Sequence, residues 1–87
     1  MSTIARSAVR VRLGHPLQAP AGRSLLELEL DDGATARDLT EAIGRRAPHL
    51  ELLLQLALVV AAGRILRPDE EIPRDEEVAL LLPAAGG

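Results

Sequence analysis

The chain has 87 residues, of which 47% are hydrophobic, and this length suits one domain with one core. It contains no Cys, no Lys and no aromatic residue, and its net charge is −3. These features argue against disulfides, cysteine-ligated zinc, a base-stacking surface and a basic nucleic-acid footprint. We expect a single cytoplasmic domain over residues 1–87 that binds no nucleic acid, no membrane and no metal.

The first third of the chain predicts two strands. Residues 1–7 show no periodicity and are expected to form a flexible N-terminal arm. Apolar residues then alternate with charged ones over 9–13 and again over 26–30, which is typical of half-buried strands. The segment 14–22 between them is rich in Gly and Pro and is predicted to be a connection, so the two strands should form a hairpin.

A helix is predicted to follow. Thr35 is a good N-cap, and Asp38 three residues later is the acid of a capping box. Ala36, Leu39 and Ile43 then recur at helical spacing and form one apolar stripe. Pro48 should end the helix. The leucine-rich segment 50–56 fits either a short helical turn or a buried connector.

The last third predicts three short strands, over residues 58–61, 64–67 and 78–82, with a tight turn at Ala62 and Gly63. Pro83 ends the last strand, and a C-terminal tail over residues 84–87 has nothing left to bury. One amphipathic helix covering a mixed sheet of four to five strands is an α+β fold. Its order of elements is that of the β-grasp (ubiquitin-like) arrangement, which places the last strand beside the first.

The sequence offers little material for catalysis. A phosphate-binding loop needs a Lys, which the chain lacks, and no nucleophile-elbow motif is present. The histidines at 15 and 49 have no second ligand at metal spacing. Paired acids occur only in predicted turns, where acidic side chains are normally solvated. We therefore expect that the chain is not an enzyme by itself.

The chemistry that remains is at the C-terminus, which is Pro83-Ala84-Ala85-Gly86-Gly87. A strand anchors this segment, and its four last small residues extend to about 13–14 Å. Glycines at the tip leave no β-carbon, so the end of the chain fits into a narrow slot. The terminal carboxylate is ionised at neutral pH, since its reference pKa is about 3.3–3.7, and is able to attack an activated phosphate.

These last residues resemble the MoaD/ThiS family of ubiquitin-like sulfur carriers, and most closely the small subunits of molybdopterin synthase. In that family a Val-containing strand is followed by Pro, two small residues and Gly-Gly, and Val78, Pro83, Gly86 and Gly87 match this pattern without a gap. The chain departs from the family at Leu80 and Leu81, where two aromatic residues often stand, and in the turn before that strand.

The resemblance implies a mechanism. An E1-like enzyme would use ATP to adenylate the Gly87 carboxylate, and a sulfur donor would convert it to a thiocarboxylate (1-thioglycine). A sulfur-acceptor enzyme, the large subunit of molybdopterin synthase in that branch, would then take in the tail Pro83–Gly87. The chain itself would bind no cofactor. Exposed Leu81, with Leu25 and Val59, is expected to form the partner-binding patch, because exposed apolar clusters often mark contacts.

Other functions stay open at this point. The chain could carry sulfur for thiamine, cysteine or a sulfur-containing natural product. It could instead be a ubiquitin-like protein modifier joined through Gly87, or a non-catalytic β-grasp interaction module. The sequence does not distinguish the pathway, the activating enzyme or the assembly state.

Overall fold

A computed structural model describes residues 5–83, which form one five-stranded sheet with helices packed on it. The strands are β1 (Arg6–Leu13), β2 (Leu25–Asp31), β3 (Leu58–Ala61), β4 (Arg64–Leu66) and β5 (Val78–Leu81). The helices are α1 (His15–Ala21), α2 (Ala36–Arg46) and α3 (Glu51–Leu56), with a 3-10 turn at Pro48–Leu50. The strand order is β2-β1-β5-β3-β4, so the last strand is central and confirms the predicted α+β, β-grasp arrangement.

The sheet is mixed. β1 pairs antiparallel with β2 from Arg6 to Arg12, and β5 pairs parallel with β1 and antiparallel with β3. β3 and β4 are joined by a two-residue turn at Ala62 and Gly63, whose φ angles are 52° and 76°. Positive φ at both positions is the signature of the primed turns that match strand twist. The predicted tight turn is therefore present.

The core lies between one face of the sheet and the helices. Alternate residues of every strand point into it, as the period of a strand requires. α2 contributes its apolar stripe, and the segment after α2 adds two leucines. The buried apolar residues are Val11, Leu13, Leu17, Leu28, Leu30, Ala36, Leu39, Ile43, Leu50, Leu54, Val59, Ala61, Leu66, Val78 and Leu80.

α2 begins where the sequence predicted. The backbone N–H of Asp38 donates to Oγ1 of Thr35 at 3.2 Å, and the N–H of Thr35 donates to Oδ2 of Asp38 at 3.0 Å. These two bonds satisfy two of the amide groups that have no partner inside the helix. The helix ends at Arg46, before Pro48. The short helical turn, one of the two alternatives for residues 50–56, is the one observed.

Two sequence predictions were wrong. The connection 14–22 contains α1, a seven-residue helix that buries Leu17 and ends at Gly22 in the left-handed conformation (φ 76°). The arm predicted for residues 1–7 is too long, because Arg6 and Ser7 already belong to β1. They pair with Asp31 and Leu30. Pairing with β2 thus carries the strand beyond the apolar alternation that starts at Val9.

The long loop between β4 and β5 is tied to the start of α2. The N–H of Ala36 donates to the carbonyl of Glu70, and the N–H of Ile72 donates to the carbonyl of Ala34, both at 2.9 Å. Ile72 packs partly buried against the core. These bonds fix the loop at one end of the sheet, from which β5 runs back through its centre. No helix of residues 5–83 combines the length and the apolar character needed to cross a bilayer.

Candidate functional site

The candidate site begins where β5 leaves the sheet. Val78 and Leu80 of this strand are fully buried, and hydrogen-bonded strands flank it on both sides. Beyond the strand, Leu82 is still packed partly buried against the core, and Pro83 is exposed. The end of the chain therefore follows the central strand of the sheet. The predicted tail residues Ala84, Ala85, Gly86 and Gly87 lie outside the described residues.

The residues at the start of α1 contact the end of β5. The N–H of Gly14 donates to the carbonyl of Leu80 at 2.8 Å, which extends the β1–β5 pairing by one residue. Nε2 of Gln18 in α1 donates to the carbonyl of Leu13 at 3.0 Å. The missed helix α1 thus belongs to the surroundings of the site, because it caps the end of the sheet from which the tail departs.

The outer face of the sheet, away from the helices, is apolar on one side. Leu58 lies directly opposite Leu81, and Val60 lies between Ala79 on β5 and Ile65 on β4. Leu81 is 39% exposed and Ile65 58% exposed. We call these five residues, Leu58, Val60, Ile65, Ala79 and Leu81, the apolar patch. It reaches the strand end from which the tail leaves.

The structure places the three predicted partner-binding residues in different surroundings. Leu81 lies in the apolar patch. Leu25 is partly exposed opposite Arg12, and β1 separates it from β5. The prediction for Val59 was wrong, because this residue is 5% exposed and belongs to the core, opposite Leu80. β3 is apolar on both faces, so its sequence does not reveal which residues point outward.

Sequence reasoning therefore missed Leu58, Val60 and Ile65. One signal could have found them. With a two-residue turn at Ala62 and Gly63, the residues of β3 and β4 pair in a fixed register, and Val60 must face the same side as Ile65.

Charged residues form the other side of the outer face. Arg10 of β1 lies opposite Glu27 of β2, and Arg12 donates to both carboxylate oxygens of Glu77 at 2.9 and 3.2 Å. The hydrogen bond from Arg12 is the main reason why the pKa of Glu77 is lowered, and Arg10 adds to it by its charge. The same bond raises the pKa of Arg12. The apolar patch thus has a polar, ion-paired border beside β5.

Residues 5–83 bring together no group of three His, Cys, Asp or Glu side chains suited to a metal ion. His49 contacts the fold instead: its Nε2 lies 2.9 Å from the carbonyl oxygen of Pro20 and links the 3-10 turn to α1. What the arrangement offers chemically is an anchored strand, an adjacent apolar surface and a chain end.

No protein-family model and no curated protein sequence matches the chain. Solved structures do. SAMP1 from Haloferax volcanii has a TM-score of 0.79 at 24% identity, covering 93% of this chain and 100% of that one. A putative molybdopterin converting factor subunit 1 from Pyrococcus furiosus has a TM-score of 0.74 at 25% identity, covering 88% of this chain and 98% of that one.

A third structure is a complex of subunits 1 and 2 of the molybdopterin-converting factor from Helicobacter pylori. The chain matches it with a TM-score of 0.64 at 17% identity, covering 93% of this chain and 100% of that one. These neighbours bear out the predicted likeness and the predicted fold. The chain has the ubiquitin-like β-grasp fold, and its structural neighbours are those of a MoaD/ThiS-type ubiquitin-like protein.

Proposed function

We propose that this chain is a sulfur carrier that works through the carboxylate of Gly87 in the synthesis of molybdopterin. The observation that carries the proposal is the anchoring of the C-terminal segment. β5 is the central strand and is paired on both sides, Leu82 still contacts the core, and the exposed Pro83 follows directly. A partner that docks on the sheet would therefore receive a C-terminal segment whose point of attachment is fixed.

In the proposed reaction, an oxygen of the Gly87 carboxylate attacks the α-phosphorus of ATP in an E1-like enzyme, and pyrophosphate leaves. Hydrosulfide, free or supplied by a donor enzyme, then attacks the carbonyl carbon of the acyl-adenylate. A C–S bond replaces the C–O bond to AMP, AMP departs and one proton is released. The product is a thiocarboxylate, whose sulfur is passed to an acceptor. The chain supplies the reacting group and a docking surface, and its partners supply the catalytic residues and the ATP site.

The apolar patch is the proposed docking surface for these partners. Leu58 of β3 and Leu81 of β5 lie opposite each other on neighbouring strands, where β5 ends. We propose that a protein that covers these two residues also receives the tail. The Helicobacter pylori structure is described as a complex of subunits 1 and 2. By analogy, we propose a larger, synthase-type subunit as one partner of this chain.

A second function has a specific observation in its favour. SAMP1 from Haloferax volcanii, whose fold matches over its whole length, belongs to proteins described as small archaeal modifier proteins. A modifier would use the same adenylated Gly87 but pass it to an amine of a target protein. Since this chain has no Lys, it would not form chains through its own side-chain amines.

One experiment separates the two functions. The chain is incubated with the E1-like enzyme of its own genome and ATP, in a lysate, with and without sulfide. A carrier yields free chain that a thiol-directed alkylating reagent labels only when sulfide is present. A modifier yields larger covalent conjugates that resist such a reagent and do not need sulfide. If neither product forms, both proposals are wrong.

A further inference from the structure

At the end of the sheet opposite the exit of β5, β1 has an unpaired edge. The N–H of Leu13 donates to the carbonyl of Ser24, and the N–H of Asp32 donates to the carbonyl of Ala5, both at 2.9 Å. In an antiparallel pair such bonds recur at every second residue. The odd-numbered residues of β1 therefore bond to β2, and Ala8 points its N–H and carbonyl toward the other edge.

Along that other edge, β5 covers only part of β1. The β1–β5 pairing starts at Val11 opposite Val78, and no strand of residues 5–83 pairs with this edge over residues 6–9. Ala8 is exposed. An unpaired strand edge is a template for another strand, because its amides and carbonyls are already aligned for hydrogen bonding.

The space beside this edge is a groove rather than open surface. A cavity of about 450 Å³ lies between β1 and the loop before β5. Val9, Leu30, Ala34 and Ile72 give it an apolar floor. The loop residues 73–77 form the facing wall. A strand rises about 3.3 Å per residue, so four residues of an extended peptide would fill the unpaired length.

The charges around the groove indicate the character of such a peptide. Three of the five lining carboxylates are ion-paired: Asp31 with Arg6, Asp32 with Arg74 and Glu77 with Arg12. The other two, Asp75 and Glu76 on the loop wall, have no ion pair among the described residues. The one lining arginine outside these pairs is Arg10, and it lies opposite Glu27. The groove therefore favours a peptide that carries positive charge.

We propose that the edge of β1 around Ala8 is a docking site for an extended, positively charged peptide segment of a partner protein. The segment adds as a strand, bonds to the N–H and carbonyl of Ala8, places an apolar side chain on the floor and a basic one beside Asp75 and Glu76. The groove lies at the start of β1, whereas the tail leaves beyond its end. The site is therefore separate from the tail exit and does not depend on the proposed function.

The test uses the full ¹⁵N-labelled chain and the capped peptide acetyl-Arg-Val-Arg-Val-Arg-amide. We expect saturable shifts of the amide signals of Ala8, Arg10 and Glu76, which weaken as salt is added. The acidic counterpart, acetyl-Glu-Val-Glu-Val-Glu-amide, should not bind. Shifts confined to other parts of the chain, or equal binding of the two peptides, would overturn the proposal.

Two variants sharpen the test. Ala8→Pro removes the edge N–H but leaves the bonds between β1 and β2, because Pro is tolerated where its nitrogen faces away from the ladder. It should weaken binding by roughly tenfold. Ala8→Val keeps the N–H and serves as the control. Combined Asp75→Asn and Glu76→Gln should weaken binding roughly two- to fivefold per charge removed.

A chain lacking Gly86 and Gly87 completes the design. It should bind the peptide as tightly as the full chain does, because the groove does not involve the tail. Unchanged binding by Ala8→Pro in a chain that is folded, or loss of binding with the tail, would contradict strand addition at this edge.

Discussion

Leu81 lies across the α-carbon of Gly14. A β-carbon added at Gly14 would stand 2.9 Å from Cδ2 of Leu81 and 3.2 Å from the carbonyl oxygen of Leu80. The absence of a side chain at Gly14 therefore lets α1 start directly against the exit of β5. This contact joins the missed helix to the strand that carries the tail.

The first prediction uses this contact. Gly14→Ala should lower the free energy of unfolding by about 1–3 kcal/mol, because the leucine side chain and the backbone behind it must both shift. Gly44→Ala is the matched control. Gly44 lies inside α2, where a β-carbon would make an ordinary 3.6 Å contact with Leu54 of α3, and the change should stabilise by about 0.5–1 kcal/mol. Urea denaturation measures both, and equal signs for the two variants would contradict the geometry.

The second prediction concerns the core. Leu39 is 0% exposed at the centre of the α2 stripe. Leu39→Ala should cost about 2–5 kcal/mol through lost burial and the cavity left behind. Leu52 in α3 is 77% exposed, and Leu52→Ala should stay within about 0.5 kcal/mol of the parent. Thermal or urea unfolding measures the loss of unfolding free energy in each variant. Similar losses in the two variants would contradict the assignment of the buried face of α2.

The third prediction is a pH dependence. The N–H of Thr35 donates to the carboxylate of Asp38, and the hydroxyl oxygen of Thr35 accepts from the backbone N–H of Asp38. The bond from the Thr35 N–H is the main reason why the pKa of Asp38 is lowered. The pKa of Glu70 is also lowered, chiefly by the N–H of Arg67. A carboxyl whose pKa is lower in the folded state stabilises the fold above its unfolded pKa of about 4. That stability is lost as the pH falls through the folded value.

Asp38→Asn keeps an acceptor for the Thr35 amide but removes the titration. Its free energy of unfolding should fall less steeply with decreasing pH, below about pH 5, than that of the parent. Urea unfolding at a series of pH values makes the comparison. Parallel curves for the two proteins would mean that the capping carboxylate does not contribute to acid sensitivity.

The fourth prediction tests the apolar patch as a docking surface. Leu81→Glu should raise the KM of the activating enzyme for this chain by roughly tenfold with little change in kcat, because a charge would be desolvated in the contact. Leu52→Glu places the same charge on α3, away from the sheet face, and should leave KM near the parent value. Similar effects of the two changes would argue against the patch.

Local signals explain which parts of the fold were predictable. α2 was found because its capping box and its stripe both lie within a dozen residues of sequence. α1 was missed because a single buried residue, Leu17, shows no period, and Pro16, Pro20 and the flanking glycines look like a loop. The beginning of β1 was missed because Arg6 and Ser7 owe their strand conformation to β2, which lies more than twenty residues away.

The surface of the candidate site was only partly predictable, and the chemistry expected at Gly87 stays a prediction. The Pro83 and Gly-Gly pattern pointed to the chain end from sequence alone. The residues of the apolar patch could not be identified from the sequence, because Leu58, Val59, Val60 and Ala61 are all apolar. Only the pairing with Ile65 and Leu81 decides which of them face outward.

The central claim is that sulfur is carried on Gly87, and one measurement tests it most directly. The chain is incubated with its E1-like enzyme, ATP and sulfide, alkylated with a thiol-directed reagent and analysed by intact-mass spectrometry. Because the chain contains no Cys, alkylation reports the thiocarboxylate, and it separates that product from oxidation of Met1, which has nearly the same mass change.

The parent chain should be alkylated once, at its C-terminal residue. A chain lacking Gly87 and a chain with one residue added after it should both fold as the parent does but remain unlabelled, since an added residue displaces the carboxylate by about 3.5 Å. If the shortened and lengthened chains are alkylated as well as the parent, the chain does not carry sulfur on Gly87.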